Sequence, residues 1–313
     1  MGDGTNPDSP KAGAEYYMKV GFWMMSWYLT SMCTLFMNKI ILTSPGGDKY
    51  VLGVTQMCMT ATLGAVKVYG FGGRTRQTEM SPEYNTFTRD MFLVGIMRGA
   101  TVILGLVSLA HVAVSFTETV KSSAPLFTVL FSYLILGERT PWQVVVALIP
   151  VMFGLAVSSA TEISFDTIGF FAAIGNNIVD CVQNVFSKKL LNALTPVQLQ
   201  FYTSCAAAAI QLPMILYTVG PQLMGKGEVV DRAMLRMLLL DGLSYHLQSV
   251  TAYYTMSLLS PVSQSVSNTL KRALLIVLSI MYFQNEVGLY NVLGVSIVIF
   301  GVFLYNHCRR LYG

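Results

Sequence analysis

VAVSFTETVKSS at residues 112–123 and VSQSVSNTLKRA at residues 262–273 align at a spacing of 150, pairing Val112 with Val262, Ser115 with Ser265, Thr119 with Thr269 and Lys121 with Lys271. Farther on, VMFGL at 151–155 matches VIFGV at 298–302, so the helix after each lysine repeats too, at a spacing shorter by 3. Both copies sit in an apolar chain: 36 of 313 residues are charged, 12%, and 53% are hydrophobic, with a mean hydropathy of +0.55. Soluble domains carry about 25% charged residues, so this chain cannot cover its own surface in water. The composition excludes a soluble enzyme, a disordered chain and a nucleic-acid binder, and makes membrane lipid the surrounding partner.

Apolar runs of about twenty residues, the length that crosses a bilayer as a helix, predict helices near 18–40, 50–69, 91–110, 113–136, 142–159, 166–187, 197–218, 234–257, 260–283 and 288–307. The widest connection, about 70–90, reads as a polar loop with Gly70, Gly72, Gly73, Pro82 and three arginines. With the amino terminus in the cytosol, Lys11, Lys19, Lys67, Arg74, Arg76, Arg89, Arg139, Lys188, Lys189, Arg309 and Arg310 share the cytosolic face. The opposite face receives Lys39, Lys49, Lys226, Arg232 and Arg236. Cytosolic loops are richer in Lys and Arg, so the imbalance predicts an even number of spans with both termini cytosolic.

Five helices per copy is an odd number, so the second copy enters the membrane in the opposite sense, as in many transporters. The predicted fold is therefore an all-α membrane protein of ten transmembrane helices in an inverted 5+5 repeat. Residues 1–16 read as a polar cytosolic tail, 17–308 as a single transmembrane domain with halves at about 17–160 and 161–308, and 309–313 as a short cytosolic tail. Residues 1–16 lack the features of a cleavable signal peptide or an organellar transit peptide, and the first helix is expected to act as an uncleaved insertion signal. The five cysteines show neither close pairing nor metal-ligand spacing, and no HExxH helix, GxxxxGK[ST] loop or GxSxG elbow occurs. No metal and no cofactor are expected.

Four cations remain inside the spans: Arg98, Lys121, Lys271 and Arg272. Each Lys or Arg at a helix center costs about 2.5–3.5 kcal/mol on the insertion scale unless it meets water or a partner. Lys121 and Lys271 are repeat equivalents that can meet across a central cavity, and with Arg272 they supply point charges and a planar fork suited to a phosphoryl group. The competing reading pairs these cations with Glu118, Asp180 and Asp241. Glu118 lies three residues before Lys121 on the same helical face, yet it cannot also neutralize Lys271 and Arg272. Asp180 and Asp241 are open as counterions, hydroxyl acceptors or proton carriers that couple transport. Arg98, between Gly95 and Gly99, enters the cavity or packs against an aspartate; His111 and His246 read as hydrogen-bonded bundle residues.

The segments VAVSFTETVKSSAPLFTVLFSYLILGE at 112–138, NVFSKKLL at 184–191 and SPVSQSVSNTLKRALLIVLSIMYF at 260–283 resemble the triose-phosphate translocator family of the drug/metabolite transporter superfamily, nearest to subgroup E of solute carrier family 35. The resemblance runs from about Phe22 to Tyr305. It implies the drug/metabolite transporter fold and a phosphate clamp at Lys121, Lys271 and Arg272, with Asn268 beside it. It also implies that the positions where plastid members use a histidine and a tyrosine to read the remainder of the substrate are held here by Val102 and Gln248. Asn38 and Lys39 match the end of the family's first helix, making Lys39 a candidate gate or rim contact.

The reading that follows is an antiporter, not an enzyme, exchanging phosphorylated or nucleotide-linked sugars for phosphate or a nucleotide monophosphate across an endomembrane, the Golgi or the ER. A phosphorylated small molecule and a counter-anion are its expected partners. The alternatives are proton-coupled uptake of an organic anion, a non-transporting scaffold or channel subunit, and a membrane enzyme acting on lipid-phosphate donors.

Overall fold

The computed structural model describes residues 10–70, 84–131, 133, 140–191, 194–218, 231–259, 261–284 and 288–312, and no strand occurs among them. The helices are α1 (Pro10–Thr43), α2 (Lys49–Ala65) continued by a π-helical turn (Val66–Gly70), α3 (Tyr84–His111), α4 (Val114–Lys121), α5 (Ala124–Phe131), α6 (Trp142–Val146), α7 (Ile149–Ala160), α8 (Thr167–Leu190), α9 (Pro196–Thr218), α10 (Arg232–Leu258), α11 (Pro261–Phe283) and α12 (Leu289–Tyr312). Most of the expected 70–90 loop, with Arg74 and Arg76, lies outside the described residues, as do Arg139 and Lys226. α1 starts at Pro10, eight residues earlier than the apolar pattern suggested.

Two expected continuous helices are broken. The stretch 113–136 divides at Ser122 and Ser123, because Pro125 has no N–H to give the Lys121 carbonyl and its ring crowds that carbonyl. The stretch 142–159 divides at Ala147 and Leu148 for the same reason, with Pro150 four residues beyond Val146. The first break matters for the site, because α4 ends at Lys121.

Lys49–Gly70, Arg89–His111, Trp142–Ala160 and Leu289–Tyr312 are long and apolar enough to cross a membrane. α8, α10 and α11 dilute the same signal with Asp180, Asp241, Lys271 and Arg272, which they turn inward. Outward they present Phe171, Leu240 and Met281, and α6, α7 and α12 present Trp142, Phe153 and Leu289, all more than half exposed. Large apolar side chains outside and Thr117, Glu118, Asn177 and Asp241 buried inside are the polarity of a helical bundle in lipid. The chain is a multi-pass membrane protein.

Helices pair as α1 with α10, α3 with α8, α2 with α9, α7 with α12 and α4 with α11. The α7–α12 seam depends on small residues: a Cβ on Gly154 would stand 2.7 Å from the Val298 nitrogen, and one on Gly301 would stand 2.8 Å from the Val151 nitrogen. Membrane helices approach this closely only where a side chain is missing.

Candidate functional site

Two cavities meet around the end of α4. One, of about 240 Å³, is lined by Glu118, Lys121, Asp180, Lys271 and Arg272 on one side, and by Ser31, Thr34, Asn38, Gln56, Val102, Tyr245 and Gln248 on the other. The second, of about 510 Å³, is lined by Asn268, Gln264, Lys188, Lys189 and Arg309, and shares Lys121, Asp180 and Arg272 with the first. The shared residues therefore stand at the boundary between the two spaces. Lys188, Lys189 and Arg309, which the charge asymmetry placed on one face together, line the larger space together.

The structure gives each cation a different environment. Lys121 Nζ is 3.5 Å from Glu118 Oε1, the i, i+3 pair weighed from the sequence. Asn177 on α8 donates to the Val120 carbonyl at 2.8 Å, bracing the end of α4 that carries Lys121. Gly105 on α3 leaves the room: a Cβ there would be 2.9 Å from Asn176 Nδ2 and 3.8 Å from Lys121 Nζ. Lys271 Nζ rests 4.2 Å from the center of the Trp27 ring, a cation–π contact from α11 to α1. Arg272 Nη1 is buried with no hydrogen-bond partner among the described residues. One buried carboxylate thus sits among three cations, with Asp180 on the cavity wall beside them, and a phosphoryl group can accept the donors left over.

Other expected site residues are engaged elsewhere. Arg98 does not line either cavity; its Nη1 donates to the Tyr253 hydroxyl at 2.9 Å and its Nη2 to Ser249 Oγ at 2.8 Å, with the Tyr245 and Tyr253 rings beside it. The guanidinium is held by neutral groups, not by the aspartate weighed from the sequence. Lys39 also lies outside both linings, and it donates to the Leu109 and Val112 carbonyls at 2.8 and 2.9 Å. It therefore caps the end of α3, where helix carbonyls lack partners and the dipole favors a cation. Asp241 is fully buried; its Oδ2 accepts from Gln56 Nε2 at 2.7 Å, the same amide that donates to Asn38 Oδ1 at 2.7 Å. Asp241 Oδ1 has no partner among the described residues. His246 Nδ1 lies 2.9 Å from Gln200 Nε2, and His111 Nδ1 lies 3.3 Å from Asp166.

Apart from Asn38, sequence reasoning missed the contribution of α1. Ser31, Thr34, Leu35 and Asn38 face the cavity from it, and their 3, 4 and 7 spacing is one helical face that a periodicity count could have picked out.

A model of the triose-phosphate transporter family matches residues 18–306. The chain belongs to this family. It is a transporter, not an enzyme. Among its relatives, the glucose-6-phosphate/phosphate translocator 1 (chloroplastic) of Arabidopsis thaliana is 30% identical, over 99% of this chain and 80% of that one. The phosphoenolpyruvate/phosphate translocator 3 (chloroplastic) of Oryza sativa subsp. japonica is 36% identical over 65% of this chain and 54% of its own. The triose phosphate/phosphate translocator (chloroplastic) of Zea mays is 29% identical over 92% and 71%. A solved crystal structure superposes with a TM-score of 0.60 at 13% identity, over 95% of this chain and 99% of that one, a likeness of fold alone.

These relatives overturn one expectation. The Golgi or ER membrane rested on the resemblance to subgroup E, whereas the three relatives named are chloroplastic. The physical reason for the error is that a membrane span reports apolar length and flanking charge, which organelles share. The cytosolic reference for the two termini goes with the Golgi. None of the three relatives' names includes a nucleotide.

Proposed function

We propose that this transporter exchanges a phosphorylated sugar for inorganic phosphate by alternating access, in a plastid membrane. The observation that carries the reading is the convergence of Lys121, Lys271 and Arg272 on one buried cavity with Glu118 as the paired carboxylate. The three cations outnumber the two carboxylates of the lining, Glu118 and Asp180, so the site keeps a positive surplus that a phosphate anion offsets, and the shared lining of the two cavities suits a site that faces each in turn. The names of the relatives support phosphate as one partner and a phosphorylated sugar as the other; their chloroplastic location supports the membrane.

The scaffold is read as ten spans in an inverted 5+5 repeat within one domain, α4–α5 and α6–α7 each making one span. Two reciprocal contacts support this. Gly154 meets Val298 as Gly301 meets Val151, and these are the residues the sequence repeat pairs. Lys39 caps the end of α3 through the Leu109 and Val112 carbonyls, and Lys188 caps the end of α10 through those of Met256 and Leu259. The residue spacings between the paired capping contacts fall between 147 and 149.

The deciding experiment is uptake of labeled phosphate into liposomes carrying the purified protein and loaded with phosphate or with glucose 6-phosphate. Exchange with both supports the proposal; no exchange with either refutes it. A second reading, proton-coupled anion uptake, is favored by Asp241, whose carboxyl meets the Gln56 amide rather than a cation. It requires an imposed proton gradient to drive uptake into unloaded liposomes, and Asp241→Asn to abolish that uptake.

A further inference from the structure

We infer that Trp27 on α1 is a positioning residue of the anion site: its indole face aims the Lys271 ammonium at the smaller cavity without canceling its charge. The inference rests on the phosphate clamp proposed above and adds what holds its second lysine in place. Lys121 and Lys271 are repeat equivalents, yet their surroundings differ. Lys121 has Glu118 three residues before it, and at the repeat spacing of 150 the position of Glu118 falls on Asn268. An amide cannot balance an ammonium, and Lys271 makes no ion pair among the described residues. What it meets is the Trp27 ring, with Nζ 4.2 Å from the ring center, well inside the range in which an aromatic face attracts a cation.

The bundle fixes the ring where the lysine needs it. Trp27 is 4% exposed and lines neither cavity, so it acts on a ligand only through Lys271, which does line the smaller one. Its neighbor Tyr28 sets the height of α11 against α1: the Tyr28 hydroxyl donates to the Ser267 carbonyl at 2.6 Å and lies 2.9 Å from Ser267 Oγ. Ser267 stands four residues before Lys271, about one helical turn away. Farther along the same two helices Phe36 stacks on Tyr282, with ring centers 4.9 Å apart. α1 therefore grips α11 on both sides of Lys271, and the ring stays level with the ammonium.

A ring face does here what a carboxylate could not. Its attraction comes from the quadrupole of the π system, so it orients the ammonium and adds no net negative charge. An acid at position 268 would balance the third cation against Glu118 and Asp180, and the positive surplus that draws an anion would vanish. A lysine with neither partner would keep the surplus but lose its aim. Lys has among the largest rotamer entropies of any side chain, and ordering it at the moment of binding subtracts from affinity.

The test keeps the shape of the ring and drains its face. The chain has three tryptophans, so a Trp23→Phe, Trp142→Phe background leaves Trp27 alone, and expression in a tryptophan auxotroph replaces it with analogs carrying one, two or four ring fluorines. Self-exchange of labeled phosphate in phosphate-loaded liposomes gives KM and the maximal rate for each protein, and thermal stabilization by phosphate in detergent gives Kd for the same series. KM and Kd should climb with each step of fluorination, to about fivefold with four fluorines, the effect of losing one cation–π contact. Trp27→Leu should raise them at least as much, and Trp27→Phe, which restores a π face, should recover most of the loss. Constants unmoved along the fluorine series show that the ring only fills space, and constants that fall show that it competes with phosphate for the ammonium. Either result overturns the inference and leaves the clamp standing. Absence of phosphate self-exchange in the wild type refutes the clamp and this inference together.

Discussion

Glu118→Gln isolates the charge balance of the site, since it keeps the shape of the side chain and removes its charge. Glu118 is 5% exposed and its carboxylate lies 3.5 Å from Lys121 Nζ. Two unit charges at that separation interact by about 5 kcal/mol at an effective dielectric constant of ~20. Breaking a buried pair from one side costs about 3–5 kcal/mol once the stranded charge is counted. Without added anion, the variant should therefore unfold at a lower temperature than the wild type. With phosphate the order of effects reverses, because the ligand no longer shares Lys121 with a carboxylate and meets one more unit of positive charge. If even a third of the Coulomb term is released to the ligand, about 1.6 kcal/mol, the affinity rises more than tenfold. Thermal unfolding in detergent over a phosphate series reads both consequences, since a bound ligand adds RT ln(1 + [L]/Kd) to stability. A variant as stable as the wild type without phosphate, and stabilized no more by it, would show that Glu118 is not the counterion of this cluster.

Four further outcomes are expected. Arg272→Ala should abolish phosphate exchange, and Arg272→Lys should leave a small fraction of it, because an ammonium cannot make two parallel bonds to one phosphoryl group; full activity of the lysine variant would contradict the assignment. Uptake of labeled phosphate should be at least tenfold faster into phosphate-loaded liposomes than into unloaded ones, because reorienting uncompensated cations in a low dielectric is costly. Equal rates would show a uniporter. Lys39→Met and Lys188→Met should each cost about 1 kcal/mol of stability by uncapping α3 and α10, and the costs should add, since the two caps share no partner; thermal unfolding of the double variant checks the sum. Gly301→Ala should destabilize by about 1–3 kcal/mol as its Cβ overpacks against Val151, whereas Gly288→Ala, whose Cβ would meet nothing within 4 Å, should be nearly neutral.

Composition and apolar run length predicted an apolar run over each described helix but not the breaks within 113–136 and 142–159, because a bilayer demands long apolar segments whatever packs against them. The repeat around Lys121 and Lys271 was legible for a related reason: two copies of one structural unit keep their special residues at matching positions. Charge inside a span also named Lys121, Lys271, Arg272 and Glu118 without coordinates, since an ion in the bilayer is expensive enough to need a purpose. Which of the buried ions share a cavity was not legible. Arg98 costs as much to insert as Lys121 and Lys39 stands at the end of the first span, yet one is spent on Tyr253 and Ser249 and the other on the carbonyls of α3, and only the way the helices lie against each other separates these uses. The α4 break follows from Pro125 locally, but its value in presenting Lys121 comes from Asn177 on α8 and the gap at Gly105 on α3. Ser31 is the clearest case. The spacing of Ser31, Thr34 and Asn38 marks one face of α1 but not what that face meets; only the packing of α1 in the bundle sets Ser31 on the wall of the smaller cavity, one turn from the ring that holds Lys271, and such a placement belongs to the packed helices rather than to one strip of sequence.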